Sequence, residues 1–124
     1  MDSVIQNFRE FEAGPDPFGA MWKVRFGWLQ TAISIRHSDS VDVKFFISDG
    51  REEMEKVIAL MLPHLMTLSK GEGRPITDPW CARLAALHLK RMIESGEDIE
   101  KTIVTPSLAK LEQCAALVRE QPVA

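Results

Sequence analysis

Apolar and polar residues alternate along much of the stretch between residues 21 and 48. Side chains along a β-strand point to opposite faces in turn, so this period of two is typical of strands with one buried face. The pattern therefore predicts a short antiparallel sheet in this part of the chain. The apolar positions fall in three runs: Trp22, Val24, Phe26 and Trp28; Ile33 and Ile35; and Val41, Val43, Phe45 and Ile47.

The second and third runs predict a hairpin with a loop at residues 38–40. Residues that lie directly opposite each other in an antiparallel pair share a face of the sheet. This loop places Ile35 opposite Val43 and Ile33 opposite Phe45, so that apolar side chains meet. A shift by one residue would mix the apolar and polar faces, and we therefore predict this register.

The connection between the first two runs has two interpretations. In the first, Leu29 and Gln30 lie in a turn and the sheet is a three-stranded meander with Trp28 on its apolar face. In the second, a bulge near Gly27 shifts the alternation and gives one long, bent strand. Leu-Gln suits a tight turn poorly, since such turns favour glycine or asparagine, but a loop over residues 28–31 relaxes this objection. We favour the meander.

The pattern becomes helical after the third run. Asp49 followed by Glu52 resembles a capping box, in which a side chain at the helix start accepts a backbone N–H of the first turn. An apolar stripe follows, and Pro63 is expected to kink or break this helix because proline has no backbone N–H to donate. Gly71 and Gly73 end it. The stripe consists of Met54, Val57, Ile58, Met61, Leu62, Leu65 and Met66.

Two further helices are predicted in the second half of the chain. Thr77 or Asp78 caps the first of them, Pro79 suits its first turn, and Gly96 ends it. Residues 97–104 fit a loop, a short helix or an added strand. The buried side of this helix is expected to consist of Leu84, Ala85, Leu87, Leu89, Met92 and Ile93.

The two ends of the chain complete the predicted architecture. Pro106 opens a last helix, and residues 1–13 predict a short helix, which residues 14–17 end because neither of their prolines continues a helix. We divide the chain into an N-terminal segment, residues 1–20, and one domain, residues 21–124. The predicted fold class is α+β, an antiparallel sheet of two to four strands with helices packed on one face.

Composition adds expectations about partners and location. The chain has 124 residues, of which 45% are hydrophobic and 27% charged, with a formal net charge of -3. A dedicated nucleic-acid binder usually carries a basic excess, and no apolar run approaches the roughly 20 residues that span a bilayer. The start of the chain lacks the features of a secretion signal. Cys81 and Cys114 are then expected to be buried thiols of a cytoplasmic protein.

Four residues are candidates for a ligand-binding pocket: His64, His88, Trp80 and Cys81. Cys81 falls in the first turn of a helix, where the helix dipole lowers the pKa of a thiol, and one of these histidines would serve as its base. Each residue also has a structural interpretation, because lone histidines and helix-start cysteines commonly pack in the core. The histidine spacing is unlike that of metal ligands, so we assign no catalytic residue, metal or cofactor.

A second candidate surface is the polar face of the predicted sheet. Alternation places Lys23, Arg25, Arg36 and Lys44 on this face beside the aromatic ring of Phe46. Single-stranded nucleic acids bind to such combinations of cations and exposed rings. A solvated face explains the same residues, and the overall acidic charge disfavours a nucleic-acid partner.

The tryptophans indicate self-association. Three tryptophans occur with no tyrosine, and a sheet larger than its covering helices leaves aromatic surface that either lines a small-molecule pocket or meets a second copy. Exposed strand edges favour the same result. Three hypotheses follow: a non-enzymatic interaction module that forms a homodimer, which we favour; a small enzyme or ligand-binding protein with a pocket between sheet and helices; and a single-stranded nucleic-acid binder.

Overall fold

The computed structural model describes residues 7–32 and 39–120, and this part of the chain has an α+β fold. Five strands form one sheet, and three helices pack against one face of it. The fold class predicted from the sequence is therefore confirmed. In chain order the elements are β1 (Glu10–Ala13), β2 (Trp22–Ala32), β3 (Ser40–Ser48), β4 (Glu53–Met61), α1 (Leu62–Glu72), α2 (Asp78–Ser95), β5 (Ile103–Val104) and α3 (Leu108–Glu120).

The strands lie side by side in chain order. β1 to β4 form an antiparallel meander, and β5 joins the edge of β4 in parallel. An added strand, one of the three interpretations of residues 97–104, is therefore present at the end of that segment. The alternation along β3 is as predicted, because Val43, Phe45 and Ile47 are fully buried under the helices.

β2 is one long, bent strand, so the bulge interpretation is correct and the turn predicted after Trp28 is wrong. The pairing with β3 shifts between Phe26 and Trp28, and Gly27 is the extra residue. A Cβ atom on Gly27 would lie 2.9 Å from Cε2 of Phe46, so glycine accommodates this close approach. Past the bulge, Trp28 lies opposite Lys44 on the polar face, and not on the apolar face as predicted.

The predicted register of the hairpin is wrong for the same reason. Phe45 pairs with Phe26 and not with Ile33. Because β2 continues past the bulge, its own residues pair with β3 along the whole of that strand. The prediction had assigned these pairing positions to a separate strand that contains Ile33 and Ile35. Ile33 and Ile35, like Arg36, lie outside the described residues.

The helix predicted to begin at Asp49 is wrong in its first half, where β4 pairs along its whole length with β3. The Asp49 carboxylate accepts the backbone N–H groups of Arg51 and Glu52, each at 2.9 Å, in the turn between the two strands. α1 begins only after β4, with Pro63 in its first turn, where a missing N–H is harmless. An apolar run such as residues 57–62 suits a buried strand as well as a helix, and pairing with β3 decides between them.

The short helix predicted for residues 1–13 is wrong in its described part. Residues 10–13 form β1, which pairs with the first part of β2, and the N–H of Phe26 donates to the carbonyl of Arg9 at 2.8 Å. A short isolated helix is marginal in water, whereas a sheet edge supplies ready hydrogen-bond partners. Residues 1–6 lie outside the described part.

α2 forms the centre of the helical layer, and its predicted ends are confirmed. The Thr77 hydroxyl accepts the N–H of Trp80 at 3.3 Å, and Gly96 follows the last turn with a φ of 78°. Gly73 closes α1 in the same left-handed conformation, with a φ of 67°. The predicted buried side of α2 is also confirmed, since its core residues include Leu84, Ala85, Leu87, Leu89, Met92 and Ile93.

Gly96 also packs closely against the loop that precedes β2. A Cβ atom at Gly96 would lie 2.8 Å from Cγ of Pro17, whereas one at Gly73 would meet nothing within 4 Å. We expect Gly73→Ala to cost about 1 kcal/mol for its left-handed backbone, and Gly96→Ala to cost about 1 kcal/mol more because Pro17 must move. Chemical denaturation of both variants measures the difference. Equal losses would contradict the packing of this loop on α2.

Candidate functional site

The structure places the four pocket candidates on two helices, α1 and α2. Trp80 and Cys81 are buried in the first turn of α2, and His64 is half-buried in the first turn of α1. His88 borders a small cavity that none of the other three lines. These residues therefore do not converge on that cavity, and their ligand-binding role stays a prediction.

Burial governs the chemistry of Cys81, of which 1% is exposed. Burial, and secondarily the charge of Asp78, raises the pKa of its thiol to about 11. A helix start alone lowers the pKa of a thiol, but here desolvation outweighs that effect. The thiol is protonated at neutral pH, which accords with the packing interpretation of this residue.

His88 is a buried histidine of α2, with 4% of its surface exposed. Burial, and then the charges of Lys110 and Arg91, lower its pKa to about 4, so the ring is neutral at pH 7. The adjacent cavity has a volume of about 110 Å³. Pockets for small organic molecules measure roughly 300–1,000 Å³, so this cavity is too small for such a ligand.

The face of the sheet turned away from the helices, the open face, is covered by no element among the described residues. The strand pairings place its residues in two halves, one on each side of the bulge at Gly27. Its charged half consists of Glu10, Glu12, Lys23, Arg25, Phe46, Ser48, Glu53 and Glu55. Its neutral half, with one charge of each sign, includes Trp28, Gln30, Ser40, Asp42, Lys44, Val57, Ala59, Met61 and Ile103.

In the charged half, the charged side chains of each strand form a column of one sign: acidic on β1, basic on β2 and acidic on β4. These columns surround a groove of about 520 Å³. Glu10 of β1 lies opposite Arg25 of β2. The Arg25 guanidinium is 3.8 Å from the Glu53 carboxylate on β4 and lies over the Phe46 ring, 4.6 Å from its centroid. Such contacts between a cation and an exposed ring contribute about 0.5–1 kcal/mol, so they order this half of the face only modestly.

A mostly apolar row crosses four strands in the neutral half. Trp28 lies opposite Lys44, Lys44 opposite Val57, and Val57 beside Ile103. Trp28 is 37% exposed and Ile103 63%. The Lys44 ammonium lies 5.7 Å from the Trp28 ring centroid and 2.6 Å from the Glu55 carboxylate, so its charge is paired. The row is about 14 Å wide, three strand spacings.

The predicted cations do lie on the open face, but acidic residues outnumber them there. Lys23, Arg25 and Lys44 share the face with Phe46, whereas Arg36 lies outside the described residues. Five carboxylates lie on the same face, and this excess opposes binding of a phosphate backbone. They belong to Glu10, Glu12, Asp42, Glu53 and Glu55.

Sequence reasoning missed Trp28, Val57 and Ile103 as residues of one surface row. The available signal for Trp28 was Gly27, because a bulge there reverses the alternation. Val57 lay in a stretch predicted as helix, and Ile103 in a segment with three interpretations. Their juxtaposition depends on the pairing of strands distant in sequence.

Lys56 is a buried cation that sequence reasoning also missed. It lies on the core side of β4, and its ammonium donates to the carbonyl of Ile99 and, at 2.7 Å, to that of Lys101. Burial lowers its pKa, while the charge of Glu100 opposes this shift. Lys56 therefore holds the segment before β5 against the sheet, which is a structural role.

Comparisons with protein-family models, with curated proteins and with solved structures gave no match to this chain. None of the helices within residues 7–32 and 39–120 combines the length and hydropathy needed to cross a membrane. Within the same residues, no three histidine, cysteine or carboxylate side chains are grouped so as to hold a metal ion.

Proposed function

We propose that this protein is a non-enzymatic interaction module that forms a homodimer through its open face. The observation that carries the proposal is the mostly apolar row from Trp28 to Ile103 across the open face, in which Trp28 and Ile103 are exposed and Val57 is half-buried. Tryptophan and methionine are enriched in protein–protein interfaces, where they contribute apolar area. The row and Met61 supply these residue types.

The open face has the dimensions of a small specific interface. With a strand spacing of about 4.8 Å and a rise of about 3.4 Å per residue, β2, β3 and β4 together measure roughly 14 Å by 30 Å, and the short strands β1 and β5 bring the face to about 500 Å². Two such faces together bury about 1,000 Å², near the lower limit for specific protein–protein complexes. The area therefore suffices for a reversible dimer.

The two alternative functions fit the described residues less well. A single-stranded nucleic acid would meet an excess of carboxylates on the open face, and Lys44 is already paired with Glu55. An enzyme that uses His88 would have a cavity of about 110 Å³ for its substrate. The interaction module is favoured because it uses the apolar row and needs no surplus of cations.

A cytoplasmic location is part of the proposal. Cys81 and Cys114 are both buried free thiols, and free cysteines are typical of proteins in reducing compartments.

The test compares Trp28→Glu with Met66→Glu. Wild-type protein is expected to show twice the mass of the chain by light scattering at high concentration. Trp28→Glu should be monomeric, with a dissociation constant raised by about a hundredfold or more, because a carboxylate would be buried in an apolar contact. Met66 on α1 is 58% exposed and lies in the helical layer, so Met66→Glu should remain dimeric.

Two outcomes would contradict the proposal. A wild-type chain that stays monomeric at high concentration would exclude self-association. A dimer that survives Trp28→Glu with unchanged affinity would have its interface elsewhere, provided that circular dichroism shows the variant to be folded.

A further inference from the structure

We infer that the two copies pack face to face about a two-fold axis that runs parallel to the strands and passes over β3. The inference rests on the proposed self-association and adds the geometry and charge pairs of the interface. It follows from the columns of charge that the strand register creates on the open face.

The charged half is self-complementary across β3. Lys23 and Arg25 of β2 lie on one side of β3, and Glu53 and Glu55 of β4 lie on the other side in the same two rows. The basic and acidic columns are each one strand spacing, about 4.8 Å, from β3. A rotation about β3 therefore places each column over the other.

A two-fold rotation about the strand-parallel axis leaves each row, the residues paired across the strands, at its own height. It exchanges the columns, so that the residues of β2 in one copy face those of β4 in the other. Strands of the two sheets then run in nearly the same direction, which is the usual aligned packing of two sheets. Lys23 and Arg25 meet the acidic column of the second copy, and the symmetry repeats this contact. In the neutral half, Trp28 faces Val57 of the second copy, which buries these two apolar residues of the row.

A two-fold axis across the strands is disfavoured. It would place each strand over the same strand of the second copy and reverse the order of residues along it. The charged half of each copy would then face the neutral half of the other. Ionised side chains would then be buried against a mostly apolar surface with few opposite charges from the second copy, which is more costly than the apolar burial is favourable.

The centre of the interface tolerates the strand-parallel arrangement. Lys44 and Asp42 of β3 each face their own counterpart, but they occupy adjacent rows, so each has an opposite charge in the next row. Lys44 is in addition paired with Glu55 at 2.6 Å. These neighbours compensate for the like-charged contacts on the axis.

The test uses two variants of the full chain with opposite charge reversals. Lys23→Glu with Arg25→Glu makes both columns acidic, and Glu53→Lys with Glu55→Lys makes both basic. Each variant alone should dimerise about tenfold more weakly or worse than wild type, because like charges face each other. An equimolar mixture should form a heterodimer, because both of its column contacts are attractive.

Native mass spectrometry distinguishes the heterodimer from either homodimer, and light scattering at low ionic strength measures its amount, since salt screens such contacts. Circular dichroism checks the fold of each variant. If a double variant does not fold, Arg25→Glu and Glu55→Arg replace the pair. Lys70→Glu and Glu112→Lys, exposed on α1 and α3, are matched controls that should dimerise like wild type.

The outcomes separate this inference from the proposed function. A wild-type dimer that Trp28→Glu disrupts, combined with folded charge variants that do not pair in the mixture, overturns the strand-parallel axis and leaves the open-face dimer in place. A wild-type chain that stays monomeric overturns both. Of these outcomes, only formation of the heterodimer in the mixture supports the strand-parallel axis.

Discussion

Phe45→Ala is expected to lower the free energy of unfolding by about 3–5 kcal/mol, whereas Phe46→Ala should lower it by about 1 kcal/mol. The two phenylalanines are neighbours in β3 and lie on opposite faces of the sheet. Phe45 is 0% exposed, and its ring meets that of Phe26 edge to face with centroids 6.0 Å apart. Alanine at this position leaves a cavity that the close-packed core cannot fill.

Phe46 differs because the space left by its ring opens toward solvent. Its loss removes contacts with the Arg25 guanidinium at 4.6 Å and the Lys44 ammonium at 5.3 Å from the ring centroid. Urea unfolding, at a concentration where wild type is monomeric, measures both variants. Equal losses at the two positions would contradict the alternation of β3.

Acid is expected to destabilise the protein between about pH 6.5 and about pH 4 through His88. Burial lowers the pKa of this side chain to about 4, from its ordinary value of 6.5. Because the folded pKa is depressed, the folded protein prefers the neutral ring. The stability is present in full above pH 6.5 and is lost as the pH falls toward 4. The difference between the two pKa values corresponds to about 3 kcal/mol.

His88→Gln is the matched control, since glutamine is polar and does not titrate. Denaturant unfolding at several pH values should give a profile flatter by about 3 kcal/mol than that of wild type over this range. Hydrogen bonds from the Trp22 indole and the Glu52 N–H lower the pKa values of Asp16 and Asp49, respectively. Stability from these carboxylates is lost at lower pH in both proteins. Parallel profiles would contradict a neutral, buried His88.

The proposed interface depends on one irregularity in β2. Without the extra residue at Gly27, Trp28 would lie on the apolar face under the helices, as uninterrupted alternation predicts. The bulge turns it to the open face, beside Lys44 and in the row that leads to Val57. A backbone feature one residue long thus decides whether a tryptophan belongs to the core or to the surface.

The sequence by itself determined the α+β class, the buried face of β3 and the ends of α2. These features depend on local chemistry. Alternation places Phe45 inward wherever the strand lies, a Thr77 hydroxyl caps the turn that follows it, and Gly96 adopts a left-handed backbone that other residues resist. Such preferences involve residues close in sequence, so they can be predicted without knowledge of the neighbouring elements.

Only the tertiary structure decided that residues 10–13 and 53–61 are strands and that Trp28 faces outward. The apolar run at residues 57–62 suits a helix and a buried strand equally well, and hydrogen bonding to β3 selects the strand. β1 likewise forms because the edge of β2 offers partners that a short helix in water lacks. These choices depend on contacts between segments distant in sequence. The free energy of such contacts cannot be read from the local pattern of apolar and polar residues.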